Sequence, residues 1–179
     1  MEVLILSKTR FGPNHVCVGG MVLQNHQYIR LVNPGGYYQY SDTPLNIGDV
    51  WDINFVPVQN IREPHNEDVI INGQRYIRTI PNIRQFIEEH NLPIWRGHIN
   101  NIFDGKLIWP NSGSGHLSAN INNYPTHSVG FWINDQPLRF EADHYIYPTG
   151  NFLVKRKLKY KGVPQPIDPI PANTLIRVS

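Results

Sequence analysis

Three observations predict an all-β chain with one short helix, folded as two tandem OB-like β-barrels. Short runs of β-branched and aromatic residues recur between turn signals along the chain, one stretch near the midpoint has helical periodicity, and 179 residues divide into two halves of barrel size. A five-stranded Greek-key barrel of OB type needs roughly 80 to 90 residues, so two fit this length better than a single nine-strand sandwich. The expected boundaries are residues 1–80 for the first barrel, 81–92 for a connecting helix and 93–179 for the second barrel. No sequence repeat relates the halves.

In the first half, VLIL at 3–6, VCVGGMVL at 16–23, YIRLV at 28–32, VWDINFVPV at 50–58, DVII at 68–71 and RYIR at 75–78 read as strands. Asn72-Gly73 separates the last two, and this dipeptide favours a two-residue type I′ turn, so a hairpin is expected there. VWDINFV alternates Val50, Asp52 and Asn54 against Trp51, Ile53 and Phe55, the pattern of a strand with one face in a core. The helix is expected at 82–90: Asn82 can cap it, Gln85 sits three residues on, and Ile83, Phe86 and Ile87 share a face. After it the strand pattern resumes in KLIW, SVGFWI, LRF, HYIYP, FLVKRKLKY and TLIRVS, broken by proline, glycine and asparagine clusters.

Composition excludes several classes. With 40% hydrophobic and 17% charged residues the chain is neither disordered nor fibrous. A single cysteine, Cys17, allows no internal disulfide and points to a reduced, intracellular setting. No run approaches the roughly eighteen apolar residues that span a bilayer, and MEVLILSKTR turns polar too soon for a signal peptide, so a cytoplasmic protein without membrane contact is expected. The net charge of +2 is unevenly spread: residues 150–179 hold six of the sixteen Lys and Arg but one of the fourteen Asp and Glu. The positive field is local.

Its source is NFLVKRKLKYKG at 151–162, where Lys155, Lys157, Lys159 and Lys161 occupy alternate positions. On a strand the four ammonium groups project together while Val154, Arg156, Leu158 and Tyr160 point the other way. Such a row either guards an exposed edge against pairing or receives phosphates. Tyr37 and Tyr38, with Tyr40, lie in the glycine-rich GGYYQYSD, where a solvent-facing ring offers a platform for a base, or packs its own loop. Trp95 is a further candidate for stacking.

Other motifs carry less. His65 and Glu67 in EPHNEDV begin like a zinc-deaminase signature, but one cysteine cannot supply the Pro-Cys-x-x-Cys pair that completes it. With Asp68 they form one short cluster in a proline-flanked loop, thin support for metal-dependent phosphoryl chemistry, so no metal, cofactor or catalytic residue is expected. His15 and Cys17 share a strand face as a nucleophile and base would, yet apolar neighbours favour a buried, unreactive thiol. NSGSGH at 111–116 could cradle a phosphate or simply connect strands tightly. Arg30, inside an apolar strand, needs a carboxylate or a phosphate, with Asp49, Asp52 and Asp68 as the available partners.

In order, LILSKTR, VCVGG, YIRLV, GDVWDI, PHNEDV, FDGKL, GSG, VGFWI, LKYKG and IPANTLIRVS resemble the dual OB-containing domain family, small prokaryotic proteins of conflict and defence settings. The resemblance covers nearly the whole chain and includes no catalytic signature. It implies two OB barrels and, by fold-level analogy, oligonucleotide or nucleotide-like ligands.

Two functions follow as expectations. In the first, DNA or RNA is the partner: Lys155, Lys157, Lys159 and Lys161 track the phosphate backbone while Tyr37, Tyr38 and Trp95 stack bases. In the second, Lys8, Arg10, Arg30, His65, Glu67, Ser112, Ser114 and His116 form a nucleotide or small-ligand pocket between the barrels. A non-catalytic adaptor recruiting proteins through a strand edge is a further alternative.

Overall fold

The computed structural model describes residues 1–59, 67–118, 125, 128–151 and 154–179. They form two compact units, Met1–Leu92 and Pro93–Ser179. Strand, turn and bridge dominate both, and among the described residues no helix is long and apolar enough to cross a membrane.

The first unit contains β1 (Glu2–Phe11), β2 (His15–Val22), β3 (Tyr28–Val32), β4 (Gln39–Tyr40), β5 (Asp49–Pro57) and β6 (Asp68–Thr79), then α1 (Ile83–Glu89). The sheet order β1-β5-β6-β3-β2 returns to β1 through a β1–β2 pairing, so five strands close into a barrel, with β4 added beside β2. The β3–β6 pair is parallel and the other barrel pairs are antiparallel. The interior follows from alternation: Val16 and Val18, Ile29 and Leu31, and Trp51 and Ile53 meet with Val3, Ile5, Val69 and Ile71 in one buried cluster. Phe55 packs against it, completing the core face expected of VWDINFV.

The expected hairpin at Asn72-Gly73 does not form. Residues 68–79 are one continuous strand, paired with β3 at its start and with β5 along nearly all of its length. The register steps from Asn54↔Gly73 to Phe55↔Ile71, leaving Asn72 as the extra residue of a β-bulge. The dipeptide bends a long strand rather than reversing it, because barrel closure offers this segment two partner strands where a hairpin offers one. The helix matches its expected capping: the Asn82 carboxamide oxygen accepts from the Gln85 N–H at 3.0 Å, and Ile87 is fully buried.

The second unit contains β7 (Ile94–Gly97), a short 3-10 segment at Ile99–Gly105, β8 (Leu107–Ile108), β9 (His116–Leu117), β10 (Gly130–Asn134), β11 (Arg139–Glu141), β12 (His144–Tyr147), β13 (Arg156–Lys159) and β14 (Leu175–Val178). Among the described residues these pair as three small sheets, β14-β10-β7, β11-β12-β13 and β8-β9. Their shared core holds Ile99, Ile102, Phe103, Trp132, Leu138, Tyr145 and Tyr147. The 3-10 segment has no counterpart among the expected elements. Its kink needs Phe103 and Asp104 at positive φ (54° and 58°), which hydrophobic periodicity does not report.

Candidate nucleic-acid interface

On the first barrel, the register that turns Val16, Val18, Ile29 and Leu31 inward turns Cys17 and Arg30 outward. Phe11 stands opposite His15, and His15 opposite Tyr40, so the outer face of β2 and its neighbours gathers aromatic rings. The Phe11 and Tyr38 rings lie 3.8 Å apart between centroids, and His15 and Tyr40 lie 5.2 Å apart. Phe11 is 50% exposed, Tyr40 60% and Tyr37 73%, so these rings are not packing a core.

The NPGG segment sets this presentation. The Asn33 carbonyl accepts from the Gly36 N–H at 2.9 Å across Pro34 and Gly35, and Gly35 takes φ of 112°. Proline followed by a residue at positive φ is the signature of a type II turn. The Asn33 side chain then donates to the Tyr38 carbonyl at 3.1 Å, fixing the backbone that carries both tyrosines.

Arg30 finds its partner in Asp68, opposite it across the parallel β3–β6 pair. Its Nε and one terminal nitrogen donate to the two carboxylate oxygens, the second bond at 2.7 Å, and this hydrogen bonding raises the guanidinium pKa further. The guanidinium also lies 5.9 Å from the Tyr38 ring centroid. Arg30 therefore joins the aromatic face as half of an ion pair.

Burial pushes the Cys17 thiol pKa up, and the charge of Arg30 only partly opposes this. A raised thiol pKa means less thiolate at a given pH, so native protein at pH 8 is expected to react slowly with a disulfide reagent and unfolded protein promptly. Equal rates in the two states would contradict the burial.

The remaining pocket candidates each have a local setting. The Lys8 ammonium donates to the Thr43 carbonyl at 2.9 Å, Arg10 is exposed near the end of β1, and Glu67 is buried with its carbonyl accepting from the Arg30 N–H. His65 lies outside the described residues. Ser112, Ser114 and His116 belong to the second unit and are exposed. Among the described residues no three His, Cys, Asp or Glu side chains gather as a metal site.

In the second unit the lysine segment takes the expected alternation from Arg156 onward. Leu158 and Tyr160 pack against the core, and the Arg156 guanidinium lies 4.8 Å from the Trp109 ring centroid. Lys157 stands opposite Ile146 and Lys159 opposite His144 on the other face. Lys159 is committed to Asp143 at 3.3 Å, whereas Lys155 and Lys157 have no ion-pair partner among the described residues. Val154 departs from the pattern: it is exposed and shares a cavity wall with Lys155 and Lys157.

The glycines of NSGSGH serve close packing. The Gly113 carbonyl accepts from the Lys157 N–H at 2.7 Å, partly covering the β13 edge. A Cβ on Gly113, whose φ is +84°, would stand 2.8 Å from the Lys155 Cβ and 3.0 Å from its carbonyl oxygen. Gly113→Ala is expected to destabilise the protein by about 1–3 kcal/mol, read as a lowered melting temperature. An unchanged melting temperature would contradict this packing.

Trp95 is half-buried in the second unit. Its indole donates to Asp104 at 3.0 Å, its ring lies against Phe103, and a Cβ on Gly130 would come within 2.5 Å of it. Sequence reasoning missed Phe11, because simple alternation places it on the core face of Val3 and Ile5, and the register shift between Ile5 and Ser7 is what brings it opposite His15 on the outer face. It also missed Arg139, which stands across Ile146 from Lys157 on the exposed face.

The family model for the dual OB-containing domain matches residues 1–165. No curated protein and no solved structure matches the chain.

Proposed function

Because the chain belongs to the dual OB-containing domain family, we propose that it is a nucleic-acid-binding module in which aromatic rings on a barrel face stack bases and a basic strand contacts phosphates. The observation that carries this reading is the group of exposed Phe11 and Tyr40 with half-buried Tyr38 on the outer face of a closed five-stranded barrel, with exposed Tyr37 next to Tyr38 in the turn segment. The strands 2–3 face is where OB barrels commonly bind oligonucleotides. Lys155 and Lys157 supply uncompensated charge, with Lys161 and Arg139 on exposed positions nearby in sequence or sheet.

Stacking uses the π-face that every base has, and lysine contacts read charge rather than sequence. The module therefore binds single strands with little sequence preference, a property suited to sensing foreign nucleic acid. Phe11→Ala and Tyr38→Ala are each expected to weaken binding of a single-stranded oligonucleotide by about 1–3 kcal/mol, with an unchanged salt slope. Tyr38→Phe keeps the ring and is expected to bind nearly normally. Full affinity in the double alanine variant would refute the stacking platform.

A further inference from the structure

The exposed face of the β11-β12-β13 sheet borders a cavity of about 490 Å³, within the size range of small-molecule sites. Its walls differ in character. Lys155 and Lys157 provide one charged side, Ile146 and Pro148 an apolar patch, and Glu141 a carboxylate. Strand β12 separates Glu141 from the lysines, because Glu141 pairs with His144 and Lys157 with Ile146. His144 also lines the cavity, with its Nδ1 against Asp143.

Asp143 pairs with Lys159 and lies against the His144 ring, and Lys155 and Lys157 remain as the lysines on the cavity wall without an ion-pair partner among the described residues. Both are held at the backbone by Gly113, through its close packing on Lys155 and its hydrogen bond from the Lys157 N–H. Two positions along an extended segment are roughly 6.6 Å apart, so two flexible ammonium groups can reach one phosphate. Across the strand the Glu141 carboxylate offers acceptor oxygens to O–H or N–H donors.

We propose that this cavity binds a nucleoside monophosphate, free or as the phosphorylated end of a strand. Lys155 and Lys157 hold the terminal phosphate, Ile146 and Pro148 cover the nucleoside, and Glu141 accepts from its hydroxyl or amino groups. A terminal monoester carries about −1.5 to −2 charge at pH 7, which two ammonium groups match better than a single backbone diester charge does. The site goes beyond strand binding by stacking, although it shares two lysines with it.

The test measures thermal stabilisation of the full chain by each of the four nucleoside 5′-monophosphates, by the unphosphorylated nucleosides and by inorganic phosphate. In parallel, anisotropy compares one oligonucleotide with and without a terminal phosphate. Stabilisation by a monophosphate, growing with the logarithm of its concentration, with its nucleoside at least tenfold weaker, is the expected result. Lys155→Gln with Lys157→Gln is expected to raise the Kd at least tenfold, and the two Lys→Arg changes to restore most of it. Glu141→Gln is expected to weaken the monophosphate and leave inorganic phosphate unaffected.

A preference for phosphorylated ends identifies the strand end as the source, and stabilisation by monophosphates alone identifies the free nucleotide. No stabilisation by any monophosphate at millimolar concentration, together with equal binding of the two oligonucleotides, overturns the site. Failure of the unphosphorylated oligonucleotide to bind would instead count against the stacking module and leave the monophosphate result standing.

Discussion

Replacing Lys155, Lys157, Lys159 and Lys161 together by glutamine is expected to weaken binding of a single-stranded oligonucleotide tenfold or more at low salt. The log–log salt slope should become shallower by about 0.7 for each phosphate that is no longer neutralised. Glutamine keeps the polar, extended side chain and removes the charge, and Leu158 and Tyr160 on the other face keep the strand seated in the core. The four lysines are unequal. Lys159 already faces Asp143 at 3.3 Å, so Lys159→Gln alone should change the slope less than Lys157→Gln alone. Unchanged affinity and slope in the fourfold variant would assign the row to protection of the β13 edge.

Trp132→Ala is expected to have the largest effect on stability. Trp132 is fully buried, lies on β10 at the centre of the β14-β10-β7 sheet, and donates its indole N–H to the Gly97 carbonyl at 2.8 Å. Truncation opens a cavity in a small core and leaves that carbonyl without its donor, at a cost of about 3–5 kcal/mol. For a unit of this size the loss corresponds to a fall in melting temperature on the order of 15–30 °C. Trp132→Phe fills most of the space and should cost less than half as much. Urea denaturation distinguishes the two, and near-wild-type stability in the alanine variant would contradict the assigned core.

Local patterns carried much of the fold and little of the pairing. Alternation marked Trp51, Ile53 and Phe55 as core, and Asn82 with Gln85 marked the start of α1, because both signals act within a few residues. Asn72-Gly73 misled for the same reason: turn propensity is local, whereas β6 is set by β3 and β5 together. The Arg30–Asp68 pair links residues 38 apart across a parallel register, so the sequence could offer three aspartates but not choose among them.

The candidate site divides along the same line. The lysine row was legible as a period of two, and Tyr37 and Tyr38 as rings in a glycine-rich turn. That Phe11 packs on Tyr38, that Trp95 is held against Phe103 and Gly130, and that Gly113 supports Lys155 are all outcomes of tertiary packing. The cavity beside β12 joins Glu141 to Lys157 across two strand pairings and has no local signature.

The most direct test of the central claim is a fluorescence-anisotropy titration of the full chain with short single-stranded DNA and RNA at several salt concentrations. The account predicts micromolar or tighter binding, with affinity falling linearly on a log–log plot against salt. Absence of binding to either polymer at low salt would contradict it.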